Sequence, residues 1–454
     1  MRHPPIRAHR KFAALALLAL LAPLPSGSQP APRQSPSPNQ TPNQTPSEKS
    51  DRKDDPVAPL LAQAQDALDR KDYAAAVPLL EKVVAARPTE ALPHFDLGVA
   101  YSQLKRNPEA IAEFRQAISL DPNFPPAHLN LGLLLLDSDP AAAAASFERA
   151  AQLLPGQVRP VYLAGEALER AGKGAEAIAQ YRAAVTLAPK DDAIFVALAR
   201  ALLADGQLPA AESSYRQALG LKPDSAPAQF GLAESLLRQQ KNAEAVDILK
   251  DYLQNAPDDR QARFERAVAL QTLNRLDDSL AELDRLDASA APSAEASKLR
   301  GSIDMQQKQW TDAVAAFTKA LAASPDDAQL HLWMGHTKME LHDYSAAETE
   351  LRRSLQLAPA NPEALGELSS VYYLSGQFEA VVSTLDLLAQ RETPTAINWF
   401  FRALSCDKLG QKPEAAAAYR KFLELDRGER PDQEFQARAR LTLLLRELSR
   451  SSGK

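Results

Sequence analysis

A 34-residue segment recurs about eleven times along this chain, and this period constrains the fold more than any other feature of the sequence. The clearest copy begins at Ala91, which is taken as position 1. Its apolar and small residues return at spacings of three and four, the period of a helical face. The recurring residues of this copy are Leu97, Gly98, Tyr101, Ala110, Phe114, Ala117 and Pro122. They predict two helices joined by a turn, with the proline ending the second helix.

The small residues at positions 8 and 20 predict how the two helices of each hairpin pack. Gly98 and Ala110 let the helices approach closely, while Tyr101 and Phe114 fill the space beside them. Much of the 45% hydrophobic content is alanine, a strong helix former, and aromatic residues make up only 6%. Because such a hairpin buries its apolar face only by stacking on its neighbours, the chain is expected to form one elongated array.

This pattern resembles the tetratricopeptide repeat, which has small residues at positions 8 and 20, an aromatic residue at 24 and proline at 32. The resemblance implies an all-α fold, an α-solenoid built as a right-handed superhelix whose first helices line a concave surface. Residues 57–431 are predicted to form the array of about eleven repeats. Residues 432–454 are predicted to form a C-terminal capping helix and tail, because the last hairpin of a solenoid needs a soluble cover.

Several repeats depart from the regular pattern, the seventh most, and the third differs in its turn. In the third repeat the turn between the helices is one residue short, around residues 137–140. The seventh repeat has Arg263 at position 4, Ser279 in place of the alanine, and a closing proline displaced to Pro292.

Residues 1–28 resemble a secretory signal peptide. Four basic residues precede an apolar run of eleven residues, Phe12–Ala22, which is too short to cross a bilayer comfortably. Small residues predict cleavage between Ser28 and Gln29, and an uncleaved N-terminal anchor is the alternative. Residues 29–56 are rich in Pro, Gln, Ser and Thr and are predicted to be a disordered linker.

The composition argues against several classes of function. The formal charge is −6, from 52 basic and 58 acidic residues, which does not fit a nucleic-acid-binding protein. The single cysteine, Cys406, excludes an intramolecular disulfide and is predicted to be a small buried residue. No phosphate-binding loop or nucleophile elbow is present in the sequence, so we predict no catalytic residue, no metal site and no cofactor.

Histidine and arginine recur at two repeat positions. Three histidines occupy position 4 and are predicted to be packing residues rather than metal ligands: His94, His128 and His331. Three arginines occupy position 7: Arg266, Arg300 and Arg402. An anion-binding ladder is one interpretation of these arginines. The favoured interpretation is that their stems pack and their guanidinium groups reach acids such as Glu265 or Asp304.

In the tetratricopeptide repeat family, partner segments lie against concave positions 2, 5, 9, 12 and 13, so the resemblance implies candidate binding residues. At positions 5 and 9 these candidates are Phe95, Val99, Leu129, Leu133, Tyr162, Glu166, Arg200, Phe230, Glu234 and Phe264. The surface is expected to be apolar across repeats two and three and mixed in charge across repeats four to six. The alternative is that the position-5 side chains are partly buried between hairpins.

Together these features predict an exported, non-catalytic scaffold that binds a protein or peptide partner on its concave surface. The expected location is the periplasm or cell surface of a bacterium, with no nucleic-acid partner and no stable membrane span after signal cleavage. One alternative is a periplasmic component of a machine for envelope assembly or polysaccharide secretion. Another is a module that positions substrate within an enzyme complex.

Overall fold

The structure, a computed structural model, describes residues 55–289 and 293–451. Within those ranges it contains 23 α-helices and no strand. Eleven consecutive hairpins followed by one C-terminal helix confirm the predicted all-α solenoid with its cap. The predicted signal peptide with its cleavage residues Ser28 and Gln29, residues 29–54 of the predicted linker, and Pro292 lie outside the described residues.

The chain divides into two units, Met1–Pro59 and Leu60–Lys454. The described part of the first unit is short. In it, the Val57 amide donates to the Asp55 carboxylate at 3.0 Å just before the first helix begins. The second unit contains the packed hairpins.

Odd-numbered helices are the first helices of the hairpins, and even-numbered helices are the second. The first helices are α1 (Ala58–Asp69), α3 (Ala91–Gln103), α5 (Pro125–Leu135), α7 (Val158–Arg170), α9 (Asp192–Ala204), α11 (Ala226–Arg238), α13 (Arg260–Thr272), α15 (Ala294–Gln306), α17 (Ala328–Glu340), α19 (Pro362–Leu374) and α21 (Ala396–Lys408). The second helices are α2 (Tyr73–Ala86), α4 (Asn107–Leu120), α6 (Pro140–Leu153), α8 (Gly174–Leu187), α10 (Leu208–Leu221), α12 (Asn242–Asn255), α14 (Leu276–Ser289), α16 (Trp310–Ala323), α18 (Tyr344–Leu357), α20 (Phe378–Ala389) and α22 (Lys412–Leu425). The C-terminal helix is α23 (Pro431–Ser451).

The predicted close approach at position 8 is confirmed. A Cβ atom added to Gly98 would lie 2.7 Å from the ring of Phe114, and one added to Gly132 would lie 2.6 Å from the ring of Phe147. The same contact joins Gly165 to Tyr181 and Gly301 to Phe317. All four rings are fully buried. Glycine at position 8 therefore leaves the space that the position-24 ring occupies.

The fifth hairpin has alanine, Ala199, at position 8. Its position-24 ring, Tyr215, lies against the following hairpin. A Cβ atom on Gly231 of that hairpin would come within 2.2 Å of the Tyr215 ring. The Tyr215 ring therefore packs against a glycine of the next repeat and fills the interface between the two hairpins.

The seventh hairpin tolerates serine at position 20 because its hydroxyl group has a partner. Ser279 is fully buried, and its hydroxyl donates to the Ala267 carbonyl at 2.7 Å. Ala267 is the position-8 residue of the same hairpin, so the contact between small residues is kept and a hydrogen bond is added.

Most hairpin turns depend on one residue with a left-handed backbone. Position 15 has a positive φ in ten hairpins: Lys71, Lys105, Gly172, Gly206, Gln240, Asn274, Lys308, His342, Gly376 and Gly410. In the second hairpin the next amide, that of Arg106, donates to the Tyr101 carbonyl at 2.9 Å and closes the end of α3. Only glycine adopts this backbone conformation without a steric penalty.

The third hairpin has the shorter turn that the sequence predicts. Helix α5 ends at Leu135 and α6 begins at Pro140. No residue of the described turn between them has a positive φ. The Asp139 amide donates to the Leu135 carbonyl at 2.7 Å, and its carboxylate accepts from the Ala142 amide at 3.1 Å. The shorter turn thus reaches the second helix without a left-handed residue, and Asp139 caps the start of that helix.

Consecutive hairpins are joined by position 4, whose side-chain nitrogen contacts the carbonyl of the proline that closes the preceding repeat. The five pairs are His94 with Pro88, His128 with Pro122, Gln229 with Pro223, Arg263 with Pro257 and His331 with Pro325. Three of these side chains also reach position 23 of their own repeat, at Glu113, Glu282 and Glu350. A carbonyl just beyond a helix end has no partner in the helix, so position 4 satisfies it. The position-4 histidines are structural residues, as predicted.

Substitution of Ala110 by leucine tests the close approach of the two helices. Ala110 is fully buried in α4, whereas Ala112 on the same helix is exposed. We expect Ala110→Leu to lower the free energy of unfolding by roughly 1–3 kcal/mol, because overpacking forces the neighbouring side chains to shift. Urea unfolding followed by circular dichroism measures it, with Ala112→Leu as the control. Equal midpoints for the two variants would contradict the packing described above.

Two glycines near one turn test the left-handed position. Gly172 has a φ of 75°, whereas Gly174, the first residue of α8, has an ordinary backbone and no neighbouring atom within 4 Å. We expect Gly172→Ala to destabilise the protein by about 1–2 kcal/mol because an L-residue is strained there. Gly174→Ala should be neutral or stabilise by up to about 1 kcal/mol, since alanine favours helix. Thermal unfolding of both variants measures the difference. Equal melting temperatures for Gly172→Ala and Gly174→Ala would show that the positive φ at position 172 does not require glycine.

Candidate partner-binding surface

The first helices of adjacent hairpins lie side by side and form one surface. We call positions 2, 5, 6, 9, 12 and 13 of these helices the first-helix face. Several pairs of first helices pack directly, for example α9 with α11 and α19 with α21. Within the described ranges, no two second helices come equally close. The first helices therefore form the more tightly spaced side of the array.

Polar contacts across this face repeat with nearly the spacing of the hairpins. Three join residues of neighbouring first helices: Arg200 with Glu169, Gln271 with Ser302 and His336 with Glu367. Two more continue the series, between Asp137 in the turn after α5 and Arg170 of α7, and between Asp407 of α21 and Arg440 of α23. The sequence separation is 31 residues in the first three contacts and 33 residues in the other two. Side chains that are one repeat apart in the sequence are thus neighbours on the surface.

The predicted binding residues all lie on the first helices. Arg200 is exposed, and the other nine are half-buried: Phe95, Val99, Leu129, Leu133, Tyr162, Glu166, Phe230, Glu234 and Phe264. They share one face, but their role in binding a partner stays a prediction.

The position-5 rings are partly buried, as the alternative interpretation predicts. The Phe95 ring lies 5.7 Å from that of Phe114 and 5.0 Å from that of Phe124, measured between centroids. The Tyr162 ring lies 5.7 Å from that of Tyr181 in the same way. Each ring packs against the core on one side and is partly exposed on the other. They can stiffen the hairpin and still offer apolar surface to a ligand.

The charged part of the face, in repeats four to six, is largely neutralised by its own ion pairs. Glu166 pairs with Arg170 at 2.8 Å. Arg200 makes two hydrogen bonds to the Glu169 carboxylate, at 2.9 and 3.1 Å, and this contact raises the pKa of its guanidinium. Glu169 also accepts the Tyr181 hydroxyl at 3.0 Å. The sequence prediction named Glu166 and Arg200 but missed Glu169, which lies at position 12.

The apolar part of the face contains one carboxylate that the sequence prediction also missed. Asp96 is the only Asp, Glu, Lys or Arg residue in α3 and α5. It is half-buried, and burial raises its pKa to about 6. Within the described part of the chain it has no hydrogen-bond or ion-pair partner. Its neighbours along the helix include Phe95, Val99 and Leu92. The Leu92 side chain is 59% exposed.

The position-7 arginines pair inside the fold, but with other acids than the sequence analysis named. Arg266 contacts the buried Glu282, which Arg263 and Arg285 also reach. The remaining contacts join Arg300 to Asp284 and Asp287, and Arg402 to Asp386. The expectation of Glu265 or Asp304 as partners was wrong, because these arginines turn toward second helices. With their guanidinium groups engaged, they do not form an anion-binding ladder.

The three neighbouring histidines of the ninth repeat have separate partners. His331 contacts Glu350 at 2.6 Å, His336 contacts Glu367 at 3.1 Å, and His342 contacts the Tyr344 hydroxyl at 3.0 Å. Among the residues with described coordinates, no group of three or more His, Cys, Asp or Glu side chains is arranged to hold a metal ion. Cys406 is fully buried, and burial raises the pKa of its thiol.

The described helices are short or carry charged residues along their length. None of those between residues 55 and 451 combines the length and apolar character needed to cross a membrane.

Replacement of Asp96 by asparagine tests the cost of its burial. The folded-state pKa of Asp96, about 6, exceeds the reference value of 3.8 because burial disfavours the charged carboxylate. The Asp96 carboxyl group therefore favours folding most below pH 4, where it is protonated in both the folded and the unfolded state. That contribution is lost as the pH rises through 6. We expect Asp96→Asn to stabilise the protein by about 1–3 kcal/mol at pH 7.5 and to lose that advantage at pH 4. Urea midpoints at both pH values measure it, and an equal effect at the two would argue against burial as the cause.

Models of the tetratricopeptide repeat match most of the chain. The matched segments are residues 61–128, 109–158, 129–192, 196–260, 264–328, 304–355, 338–397 and 396–429.

Individual relatives are similar over short stretches. One stretch of 79 residues is 37% identical to the tetratricopeptide repeat and J domain-containing co-chaperone DNJ1 of Fusarium oxysporum f. sp. lycopersici, and covers 17% of this chain and 15% of that protein. Another, of 78 residues, is 33% identical to tetratricopeptide repeat protein 16 of Homo sapiens, and covers 17% of this chain and 9% of that protein. The solved structure of pilF from Pseudomonas aeruginosa is similar at 20% identity and a TM-score of 0.41, over 47% of this chain and 97% of that chain.

Proteins with these repeats generally serve as non-catalytic scaffolds for protein–protein interaction. The period, the contacts between glycine and aromatic rings, and the matches along residues 61–429 agree with one another. The chain belongs to the tetratricopeptide repeat family.

Proposed function

We propose that the first-helix face of repeats two and three binds a peptide segment of a partner protein, and that Asp96 pairs there with a lysine or arginine of that segment. The observation that carries this proposal is a half-buried carboxylate without a partner on an otherwise apolar surface. The occupant is a segment with apolar side chains around one basic residue. Such a segment would place its apolar residues against Leu92, Phe95, Val99 and Leu133.

The physical argument is one of compensation. A buried carboxylate without a partner destabilises the free protein, and a cation delivered by the ligand restores the lost interaction. A charge-assisted hydrogen bond in a partly desolvated site is stronger than one on an open surface. The exposed Leu92 adds apolar area, since fully burying a leucine contributes about 1.5–3 kcal/mol.

Charge complementarity favours this part of the face over the next. In repeats four to six the carboxylates of Glu166 and Glu169 are already paired with Arg170 and Arg200. A basic ligand would have to displace those arginines before it gained a partner. At Asp96 no such exchange is needed.

Export is the second part of the proposal. Its support is the basic start of the chain, the apolar run Phe12–Ala22 and the small residues before Gln29. We propose that the mature scaffold acts in the bacterial periplasm or at the cell surface. Partners from an envelope-assembly or polysaccharide-secretion machine would indicate a component of that machine. Partners from an enzyme complex would indicate a module that positions substrate.

Cell fractionation and N-terminal sequencing in the native host test export. We expect a mature protein in the envelope or medium that begins near Gln29. A full-length chain confined to the cytoplasm would refute export but leave the peptide-binding proposal standing, because the two rest on different residues.

Peptides selected by phage display against the full chain test the binding proposal. We expect a recurring lysine or arginine among apolar residues, and at least a tenfold weaker Kd when that residue is replaced by glutamate. Asp96→Asn should lose this discrimination without loss of stability. Fluorescence anisotropy of labelled peptides at pH 7.5 measures Kd, and a tenfold change corresponds to about 1.4 kcal/mol.

Asp137→Asn is the matched control. Asp137 lies in the turn that follows α5, where it is exposed and pairs with Arg170, so this variant should bind as the unaltered chain does. Peptides without a basic residue, or equal charge discrimination by the Asp96→Asn variant, would overturn the proposal.

A further inference from the structure

The outward side of the C-terminal helix α23 carries an apolar stripe. Its inward side packs on the last hairpin through Ala437 and Leu444, which are fully buried together with Phe422. Arg440 adds two hydrogen bonds to Asp407, at 2.5 and 2.7 Å. On the opposite side, Phe435 is 75% exposed and Leu443 is 47% exposed. A helix that only covered the array would be expected to present a polar outer side.

The exposed residues share one line along the helix. Phe435, Ala439 and Leu443 follow one another at intervals of four, so they lie on one helical face. Asp432 and Arg446, both exposed, extend the same face at its two ends. The smallest residue, Ala439, is at the centre, where it would allow another helix to approach closely.

This face is complementary to itself when it is reversed. Asp432 and Arg446 each lie seven residues from Ala439, and Phe435 and Leu443 each lie four residues from it. In an antiparallel pair centred on Ala439, Phe435 of one copy meets Leu443 of the other, and Asp432 meets Arg446. A parallel pair would instead place like charges together, at Asp432 and at Arg446. Charge therefore selects the antiparallel arrangement.

The two terminal charges are available for such a contact. Asp432 and Arg446 have no side-chain hydrogen bond or ion pair within residues 55–289 and 293–451. They cannot pair with each other, because fourteen residues of helix separate them by about 21 Å. By contrast, Arg440 on the inward side already forms an ion pair with Asp407.

We propose that two copies of this chain associate through α23 about a two-fold axis at Ala439. Such an isologous contact uses the same patch twice, as in most homodimers. A single pair of helices buries little surface, so the dimer is expected to be weak, with a Kd of roughly 1–100 μM. This inference rests on α23 alone and does not depend on the proposed peptide site.

Sedimentation equilibrium of the full chain from 1 to about 200 μM tests the dimer. We expect a monomer–dimer equilibrium that Phe435→Ser weakens at least tenfold. Leu445→Ser is the control, because Leu445 is also exposed, at 39%, but lies off the stripe. A wild-type chain that stays monomeric across this range would overturn the proposal. So would a dimer that is indifferent to Phe435→Ser.

A charge exchange tests the antiparallel geometry. Asp432→Arg and Arg446→Asp should each be monomeric alone, because each places like charges at both ends of the pair. Mixed in equal amounts, the two variants should form a heterodimer, and the double variant should regain the homodimer. Failure of the mixture to associate would overturn the antiparallel arrangement. Co-sedimentation of a monomeric chain with phosphatidylglycerol vesicles through this face would replace the second copy by a membrane as the occupant.

Discussion

The close contact between a small residue at position 8 and a large apolar residue at position 24 is the interaction on which the rest of the structure depends. It sets the distance between the two helices of a hairpin, as at Gly98 and Phe114. Because the ring is fully buried, the hairpin has one preferred packing. Stacking then follows from the apolar faces that remain, and at five junctions position 4 contacts the proline carbonyl of the preceding hairpin. The two surfaces proposed above for binding lie on this frame.

On the first-helix face, most charges are paired within the array and one carboxylate is left without a partner in the described fold. Ion pairs between neighbouring helices, such as that of Arg200 with Glu169, use charge to support the array. Asp96 is the opposite case, because its carboxylate is half-buried and has no partner in the described fold. Residues that weaken the free protein in this way are often retained for binding. The outward stripe of α23 is a second surface whose apolar side chains stay exposed, since Phe435 is 75% exposed.

Repeat register made much of this structure predictable. The short third turn could be read from the spacing between Leu131 and Ala143, and the structure places it between Leu135 and Pro140. The position-4 histidines were correctly assigned to structure, although their shared proline partner was not foreseen. The partners of Arg266, Arg300 and Arg402 were predicted wrongly, because a side chain of that length reaches several helices and sequence spacing cannot rank them. Asp96 was missed because a single acid at position 6 has no distinguishing pattern.

By itself the sequence determined the class of fold, the number of hairpins and the residues at each hairpin contact. These follow from local sequence patterns. Apolar residues spaced three and four apart form one face of a helix, and that face must be buried wherever it occurs. Only the tertiary structure decided which charges are paired and which are left alone. That outcome depends on distances between side chains about 31 residues apart, as for Arg200 and Glu169, and on the burial that surrounds them. Packing from repeating positions is a property of each hairpin, whereas electrostatic pairing is a property of the stacked array.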